Sequence, residues 1–344
     1  MMKTLLALLL LIIVMLSFTI KGPFTIPVPE GWPKPLYRSK DNTLTEERIE
    51  IGRILFYDNR LSQNNMISCA SCHSSYNAFA HTDHALSHGI HDAIGNRNAP
   101  ALFNLAWQTS FMWDGAIHHL DAQALSPITH PKEMNETLEH IVIKLRQDKN
   151  YRIKFMNAYG DSMITGERIL KCIAQFTLTL ISSDAKYDLV KKGMQQFTPQ
   201  EQRGYRLYKT HCASCHTEPL FSSYTFKNNG LQPDPILNDL GHFRITQNPA
   251  DSFLFKVPSL RNLEYTYPYM HDGRFKRIRD VLDHYTGLNR DLPHLSKELK
   301  PPLNLSPDQK VELISFLLTL SDKKFVFNTD YTYPKEFPYS YMNK

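Results

Sequence analysis

The sequence has few of the features that mark disulfide-rich, fibrous or nucleic-acid-binding chains. Five cysteines among 344 residues are too few for a disulfide scaffold. The 14 glycines and 21 prolines exclude collagen-like and low-complexity chains. The net charge of +5 is spread over the whole length, without a run of five like charges, so no nucleic-acid partner is expected. Strand-like alternation is also scarce, which predicts a mainly α-helical globular fold.

Only one apolar run is long enough to be an export signal or to approach the length of a membrane-spanning helix. It follows Lys3 and extends from Thr4 to Ile20. A short basic start and an apolar stretch of this length are typical of an export signal, and they also approach the shortest length of a spanning helix. We therefore expect residues 1–22 to be a signal peptide or an N-terminal membrane anchor. In either case the body of the chain is exported, and we expect it in the periplasm.

Capping signals predict several of the helices. Thr45 precedes two acidic residues and predicts a helix start, and Asn135 is expected to cap a helix through Leu145. Thr198 and Ser306 each open a capping box with proline at the first helical position. The segment 217–300 is rich in Pro, Asn, Asp and Gly and is expected to be mostly irregular.

One pentapeptide occurs twice and carries the chemistry. Cys69-Ala70-Ser71-Cys72-His73 recurs as Cys212-Ala213-Ser214-Cys215-His216. C-x-x-C-H is the attachment signature of c-type haem: the two thiols bond to the haem vinyl groups, and the histidine ligates the iron. The sequence therefore predicts two covalent haems, with His73 and His216 as iron ligands. The fifth cysteine, Cys172, lies on an apolar helical stripe and is expected in the core.

Other uses of paired cysteines fit this pattern less well. A zinc site requires close-spaced cysteine pairs, whereas these pairs lie a domain apart. A thioredoxin-like redox motif belongs to a βαβ unit, which the sequence lacks. We therefore predict two cytochrome c-like domains with long irregular loops, at residues 36–192 and 195–324, followed by a tail at 325–344.

Further motifs appear between and after the haem signatures. Residues 97–115 end in Met112-Trp113-Asp114-Gly115, and residues 255–273 end in Met270-His271-Asp272-Gly273. Together with Gln123 and Glu133, this order of motifs resembles the bacterial dihaem cytochrome c peroxidases and the related MauG-type dihaem enzymes. The resemblance extends from about residue 45 to 320.

The resemblance implies roles for individual residues. The N-terminal haem would react with peroxide, with Glu133 as the acid/base group of its distal pocket and Gln123 as its polar neighbour. Trp113 would lie between the two haems. An interdomain calcium ion would be held by Asn98 and by the main-chain carbonyls of Thr266 and Pro268.

The sequence departs from the better-known peroxidases at two positions. Alignment on Ser87, Gly89 and Gly95 puts Ile90 where those enzymes have a displaceable histidine, although His88 and His91 are adjacent. Ile90 would leave the first iron five-coordinate, whereas His88 as distal ligand would require reductive activation. His81, His84, His88 and His91 also suggest a metal site, but a polar loop beside a haem is the favoured interpretation.

At the second haem, peroxidases use Met and MauG-type enzymes use Tyr as the distal ligand. Tyr285 is the favoured candidate here, and Met270 is the alternative. A thioether raises the haem potential, whereas a hard phenolate favours ferric iron.

The leading hypothesis is an exported dihaem cytochrome c peroxidase that reduces hydrogen peroxide to water. By resemblance, electrons from a small cytochrome c or cupredoxin enter at the C-terminal haem and pass to the N-terminal one. The first alternative is a MauG-type oxidase that acts on a protein or small-molecule substrate through high-valent haem states. The second is a non-enzymatic dihaem electron carrier. The oligomeric state stays open, with a homodimer among the options.

Overall fold

The computed structural model describes residues 24–335. The predicted signal or anchor at 1–22 lies outside the described residues, as does the tail beyond residue 335, including Tyr339 and Tyr341. Between residues 24 and 335, no helix is both long and apolar enough to cross a bilayer.

The fold is mainly α-helical, as predicted, with many loops and little strand. In the N-terminal half the helices are α1 (Glu46–Tyr57), α2 (Cys69–Cys72), α3 (Leu120–Gln123), α4 (Leu125–Thr129), α5 (Leu138–Gln147), α6 (Lys149–Tyr159), α7 (Gly166–Leu178) and α8 (Lys186–Lys191). The C-terminal half contains α9 (Pro199–His211), α10 (Phe243–Thr246), α11 (Ile278–Thr286), α12 (Pro307–Leu318) and α13 (Lys323–Val326). Two short antiparallel strands, β1 (Phe226–Lys227) and β2 (Phe255–Lys256), pair in the C-terminal half.

Each half is organised around one crossing of two long helices. In the N-terminal half α1 crosses α7, and in the C-terminal half α9 crosses α12. A glycine lies at each crossing: a Cβ on Gly52 would collide with the carbonyl of Cys172, and a Cβ on Gly204 would collide with that of Glu312. The two halves therefore use the same device to bring a helix pair into close contact.

Three apolar clusters form the core. Two belong mainly to the N-terminal half, one around Phe56, Phe79 and Phe176 and one around Ile51, Leu145 and Phe155. The third lies mainly in the C-terminal half and includes Tyr187 of α8. Its buried members are Tyr187, Tyr208, Phe221, Leu282, Leu313, Phe316, Leu317 and Leu320.

The capping predictions are mostly confirmed. Thr45 caps α1, and Thr198 and Ser306 form the capping boxes of α9 and α12. The prediction for Asn135 is wrong, because the α5 cap is Thr137, whose hydroxyl accepts from the His140 amide. Asn135 instead has a left-handed φ of 46° and donates its side-chain amide to Gln63.

The described part of the tail packs on the N-terminal half. Phe325 is buried and lies 5.9 Å, centroid to centroid, from both Phe79 and Phe103. The Tyr331 hydroxyl donates to the Thr179 carbonyl at 2.9 Å, and the Tyr57 hydroxyl donates to the Tyr331 carbonyl at 2.7 Å. The chain thus returns after α12 to close over the first half.

Candidate functional site: two haem-attachment sites and the interface between them

The first haem signature forms the short helix α2 and the residue after it. The main-chain amide of Ser68 donates to the Ser71 hydroxyl at 3.1 Å, which fixes the start of this helix. His73 follows directly, and its Nδ1 lies 2.9 Å from the Phe79 carbonyl. Burial lowers the pKa of His73 to about 4, so the ring is neutral. A neutral imidazole whose Nδ1 is bonded to a carbonyl offers Nε2 as a metal ligand.

The second signature repeats this arrangement after α9. Nδ1 of His216 lies 3.2 Å from the Phe221 carbonyl and 3.1 Å from the Pro258 carbonyl. The Tyr208 hydroxyl donates to the main-chain carbonyl of His216 and holds the signature against the third core cluster. Burial lowers the pKa of His216 to about 4. Both histidines are therefore neutral and oriented through Nδ1.

The residues present fit two covalently attached haems. The four signature cysteines are free thiols, and burial raises the pKa of Cys69 and of Cys212 to about 12. Beside the second signature lies a cavity of about 300 Å³. Cys212, Cys215 and His216 line it together with apolar side chains such as Leu282 and Leu313. A flat apolar ring bound through thiols and an imidazole suits these surroundings.

Both candidates for the distal ligand of the second haem line the same cavity as His216. Tyr285 lies on α11, and Met270 lies in the loop after Pro268. The Asn229 side-chain amide lies 3.5 Å from the Met270 sulfur. Burial raises the pKa of the Tyr285 hydroxyl to about 12, and a hydrogen bond with Asn229 acts in the opposite direction. Asn229 thus contacts both side chains.

Near the first signature, Glu133 adjoins the loop that was expected to carry the distal position. The Ile90 amide donates to the Glu133 carbonyl at 2.8 Å, and a Cβ on Gly89 would collide with the main chain of Lys132 and Glu133. Burial raises the pKa of the Glu133 carboxyl above its usual value, and His130 nearby lowers it. Burial, and to a smaller extent the charge of Glu133, raise the pKa of the Cys72 thiol. Glu133 therefore lies close to the first signature and is half-buried.

The histidines of this loop form a stacked row. The His81 and His84 rings are 5.6 Å apart, and the His84 and His88 rings are 4.2 Å apart. His88 is held by Asp92, with Nδ1 2.7 Å from the carboxylate, whereas Ile90 is buried. Among residues 24–335, no group of three or more His, Cys, Asp or Glu side chains has the arrangement of a metal site.

Gln123 and Trp113 both line the cavity, on the side formed by the N-terminal half. The Gln123 side-chain amide lies 3.8 Å from the Met112 sulfur. The Trp113 indole N–H donates to the Asn98 carbonyl at 2.8 Å. Gln123 and Trp113 therefore line the same cavity as His216.

The three residues expected at a calcium ion border one cavity. Asn98, Thr266 and Pro268 all line the cavity, although they belong to different halves. The Asn98 amide group donates to the Ala85 carbonyl at 3.0 Å, which leaves its side-chain oxygen available. In the described part of the chain no group donates to the carbonyls of Thr266 or Pro268.

A second internal repeat was not recognised in the sequence, although its signal is there. Pro100 and Pro258 are 158 residues apart, as are Met112 and Met270. We call residues 97–117 and 255–275 the paired segments. The matched residues are Pro100 and Pro258, Leu102 and Leu260, Asn104 and Asn262, Leu105 and Leu263, Met112 and Met270, Asp114 and Asp272, and Gly115 and Gly273.

The paired segments contact each other reciprocally. The Asn98 amide donates to the His271 carbonyl at 2.7 Å, and the Lys256 amide donates to the Trp113 carbonyl at 2.8 Å. Asn98 matches Lys256, and Trp113 matches His271, so one contact is the counterpart of the other. Each segment ends in the same tight turn, closed by the bridges Phe111–Ile117 and Tyr269–Phe275. The two halves therefore meet about an approximate two-fold relation.

A buried ion pair reinforces this interface. Arg97 of the N-terminal half binds Asp239 of the C-terminal half through two contacts, of 2.6 and 2.8 Å. The same guanidinium binds Asp114, in the turn after Trp113, at 2.6 Å. The Arg97 guanidinium lowers the pKa of Asp239 against the effect of burial. The Trp113 turn is thus tied to both halves.

Comparison with known protein families agrees with the two haem signatures. The model of the family "Di-haem cytochrome c peroxidase" matches residues 46–196, and that of "Cytochrome c" matches residues 201–321. Each match contains one of the signatures.

Among curated proteins, the methylamine utilization protein MauG of Methylorubrum extorquens is 37% identical over 304 residues, covering 85% of this chain and 82% of that protein. The cytochrome c551 peroxidase of Nitrosomonas europaea is 34% identical, covering 80% of each. Among solved structures, a MauG-like protein associated with microbial copper homeostasis superposes with a TM-score of 0.80 at 32% identity, covering 90% of this chain and 99% of that one.

Proposed function

This chain belongs to the di-haem cytochrome c peroxidase family, and we propose that it reduces hydrogen peroxide to water with electrons from a small redox protein. The observation that carries the proposal is the asymmetry between the two attachment sites. Both present a neutral histidine and two free thiols, and each has a half-buried carboxylate nearby, but burial raises the pKa of Glu133 at the first site, whereas the hydrogen bond from Lys227 lowers the pKa of Glu298 at the second. Several relatives are named as peroxidases, such as the cytochrome c551 peroxidase of Nitrosomonas europaea, which disfavours the simple electron carrier.

Two c-type haems, attached at Cys69 and Cys72 and at Cys212 and Cys215, would supply the irons that exchange electrons and bind peroxide. His73 and His216 would ligate them through Nε2. The carbonyls of Phe79 and Phe221 fix these rings and keep Nδ1 protonated.

Glu133 would perform the proton transfers. Its carboxylate takes a proton from peroxide and returns it to the departing oxygen, so that one peroxide, two protons and two electrons give two waters. Burial raises the pKa of this carboxyl, which brings it closer to the working range of an acid/base catalyst. Gln123, held at the Met112 sulfur, is its proposed polar neighbour.

We further propose that the first iron is open on its distal side. His88 is bound to Asp92 and stacked on His84, whereas Ile90 is buried and its amide is held by Glu133. An isoleucine side chain has no atom that ligates iron. On this basis no reductive activation is required.

At the second site we propose Tyr285 as the distal ligand. Asn229 supports this choice, because its amide engages the Met270 sulfur while also bonding the Tyr285 hydroxyl. Trp113, on the cavity wall between the halves, would shorten the electron path from this site to the first. Asn98, Thr266 and Pro268 would hold a calcium ion, a cation that prefers such neutral oxygen donors alongside carboxylates and water.

The proposed domains are residues 36–192 and 195–324, with a tail at 325–344, and the ends of the two family matches at 196 and 201 support that boundary. The proposed location is the periplasm, on the basis of the apolar run after Lys3. A small cytochrome c or cupredoxin is the proposed donor.

The deciding experiment is steady-state turnover of peroxide with a reduced cytochrome c, with and without prior half-reduction of the enzyme. We expect turnover without a lag in both cases. A high-spin signal from one haem of the fully oxidised protein should accompany it. Two low-spin haems in every redox state, unchanged by peroxide, would refute the peroxidase.

A MauG-type oxidase is the second candidate, favoured by Tyr285 and by the 37% identity to MauG. It predicts that peroxide is consumed without a reduced donor when a protein or small-molecule substrate is added, and that this substrate is recovered oxidised. Turnover that depends strictly on the reduced cytochrome would exclude it.

A further inference from the structure

The two paired segments differ in how they bind positive charge. Residue 98 of the first segment matches Lys256 of the second, and Thr266 and Pro268 match Gln108 and Ser110. Each of the proposed calcium ligands Asn98, Thr266 and Pro268 therefore has a matched residue in the other paired segment. These matched residues are Lys256, Gln108 and Ser110, respectively. The counterpart of the asparagine is a lysine.

The counterpart position is already occupied by a cation of the chain itself. The Lys256 ammonium donates to the Gln108 side-chain oxygen at 2.8 Å and to the Ser110 carbonyl at 2.6 Å. These acceptors belong to the N-terminal half, and Lys256 to the C-terminal half. Phe111 lies beside the ammonium at 5.8 Å from the ring centre.

At the other position the oxygen donors have no such partner. The carbonyls of Thr266 and Pro268 receive no hydrogen bond from residues 24–335, and they border the cavity together with Asn98. Carbonyl oxygens that a lysine satisfies on one side are thus left for an external cation on the other. Two matched positions differ here: lysine stands in place of asparagine, and the Gln108 side-chain oxygen stands in place of the Thr266 main-chain carbonyl.

We propose that Lys256 is a tethered cation that occupies the two-fold counterpart of the calcium position and fixes the Trp113 turn to the C-terminal half. This inference rests on the calcium site of the proposed function. The ammonium holds Gln108 and Ser110, which lead directly into Phe111, Met112 and Trp113. Calcium would hold Thr266 and Pro268, which lead into Met270 and His271.

The two turns would therefore be anchored by two different cations. The turn that presents Trp113 is anchored without a metal ion, whereas the turn that presents Met270 and His271 depends on calcium. Removal of calcium should therefore loosen residues 266–273 and leave residues 108–115 in place. Loss of the lysine charge should do the reverse.

The test uses the holoenzyme at pH 6, where the ammonium form predominates, since burial lowers the pKa of Lys256 to about 7 and the charge of Asp114 opposes this. Wild type, Lys256→Met and Lys256→Asn are compared, with Lys276→Met as an exposed lysine control. Calcium equivalents are measured by titration calorimetry after chelation. Amide hydrogen exchange is followed by mass spectrometry in residues 108–115 and 266–273.

We expect one equivalent of calcium in wild type, Lys256→Met and Lys276→Met, and two in Lys256→Asn, which recreates the asparagine of the first site. In Lys256→Met, exchange in residues 108–115 should be roughly tenfold faster or more, as expected for a lost hydrogen bond to a charged group. Calcium should restore slow exchange in Lys256→Asn but not in Lys256→Met. Chelation of wild type should accelerate only residues 266–273.

The outcomes separate the two claims. Zero equivalents in wild type would overturn the calcium site and, with it, the pairing of two cation positions. Unchanged exchange of residues 108–115 in Lys256→Met would overturn the anchoring role of Lys256, whatever the calcium content. A Lys256→Asn variant that gains no second calcium would overturn the equivalence of the two positions.

Discussion

The two halves share a scaffold and differ in the side chains placed on it. Each has a haem signature, a helix pair crossing at a glycine, and a paired segment that ends in a Met-x-Asp-Gly turn. At matched positions the first half has Asn98, Phe103 and Trp113, where the second has Lys256, Arg261 and His271. The repeated backbone thus provides two equivalent haem-attachment sites, whereas a few residue differences distinguish the two halves.

The acid/base group is the largest expected difference between the halves. Glu133→Gln should lower kcat/KM for peroxide by roughly 10²–10⁴-fold, because an amide cannot take up and return the proton. Stopped-flow kinetics of peroxide consumption measure this loss. Glu139→Gln, an exposed carboxylate on the neighbouring helix α5, is the matched control and should react like wild type. Equal rates for both variants would remove Glu133 from the mechanism.

A buried ion pair replaces an aromatic contact at the next matched position. Arg261 is fully buried and binds Asp188 at 2.6 and 2.8 Å, whereas its counterpart Phe103 packs against Phe325. Arg261→Phe would leave Asp188 buried without its charge partner, which should lower the free energy of unfolding by about 3–5 kcal/mol.

Urea unfolding of the holoprotein tests this cost. The exposed pair of Arg277 and Asp280 offers the control, since Arg277→Gln should cost only about 0–1 kcal/mol. If Arg261→Phe costs no more than Arg277→Gln, then arginine and phenylalanine are interchangeable here and the halves are more alike than we infer.

The distal ligand of the second haem should separate the halves electrochemically. Tyr285→Met replaces a hard oxygen donor by a thioether and should raise the potential of this haem by on the order of 0.1 V or more, within the range of about 0.8 V that axial ligands set. Redox titration followed by absorbance measures the shift. Tyr285→Phe serves as a control without a ligand atom. An unchanged potential in both variants would point to Met270 as the ligand of the wild type.

Local signals in the sequence were enough for the helices and the haem signatures. Thr45, Thr198 and Ser306 cap their helices because each capping interaction lies within three residues along the chain. The prediction for Asn135 failed because a second local signal competes with it. Thr137, two residues later, has a hydroxyl that caps the helix, and the left-handed backbone of Asn135 places that residue outside the helix.

Contacts between distant residues could not be predicted from these signals. The reciprocal amide bonds of Asn98 and Lys256 join segments more than a hundred residues apart, and nothing in either segment alone indicates its partner. The constant spacing of 158 residues between the paired segments was readable, and it would have matched Lys256 with Asn98. Only the structure shows that the matched residues meet across one interface.

The smallest expected effects lie where both halves use the same residue. Asn104 and Asn262 are matched, buried and left-handed, with φ of 57° and 60°, and both bond Ser182. Replacing either by glycine, which tolerates this backbone, should cost about 1–3 kcal/mol of unfolding free energy. Because both side chains share Ser182, the double variant should cost less than the sum, by roughly 0.5 kcal/mol or more. Additive costs in urea unfolding would mean that the two asparagines act independently and that the two-fold relation ends before Ser182.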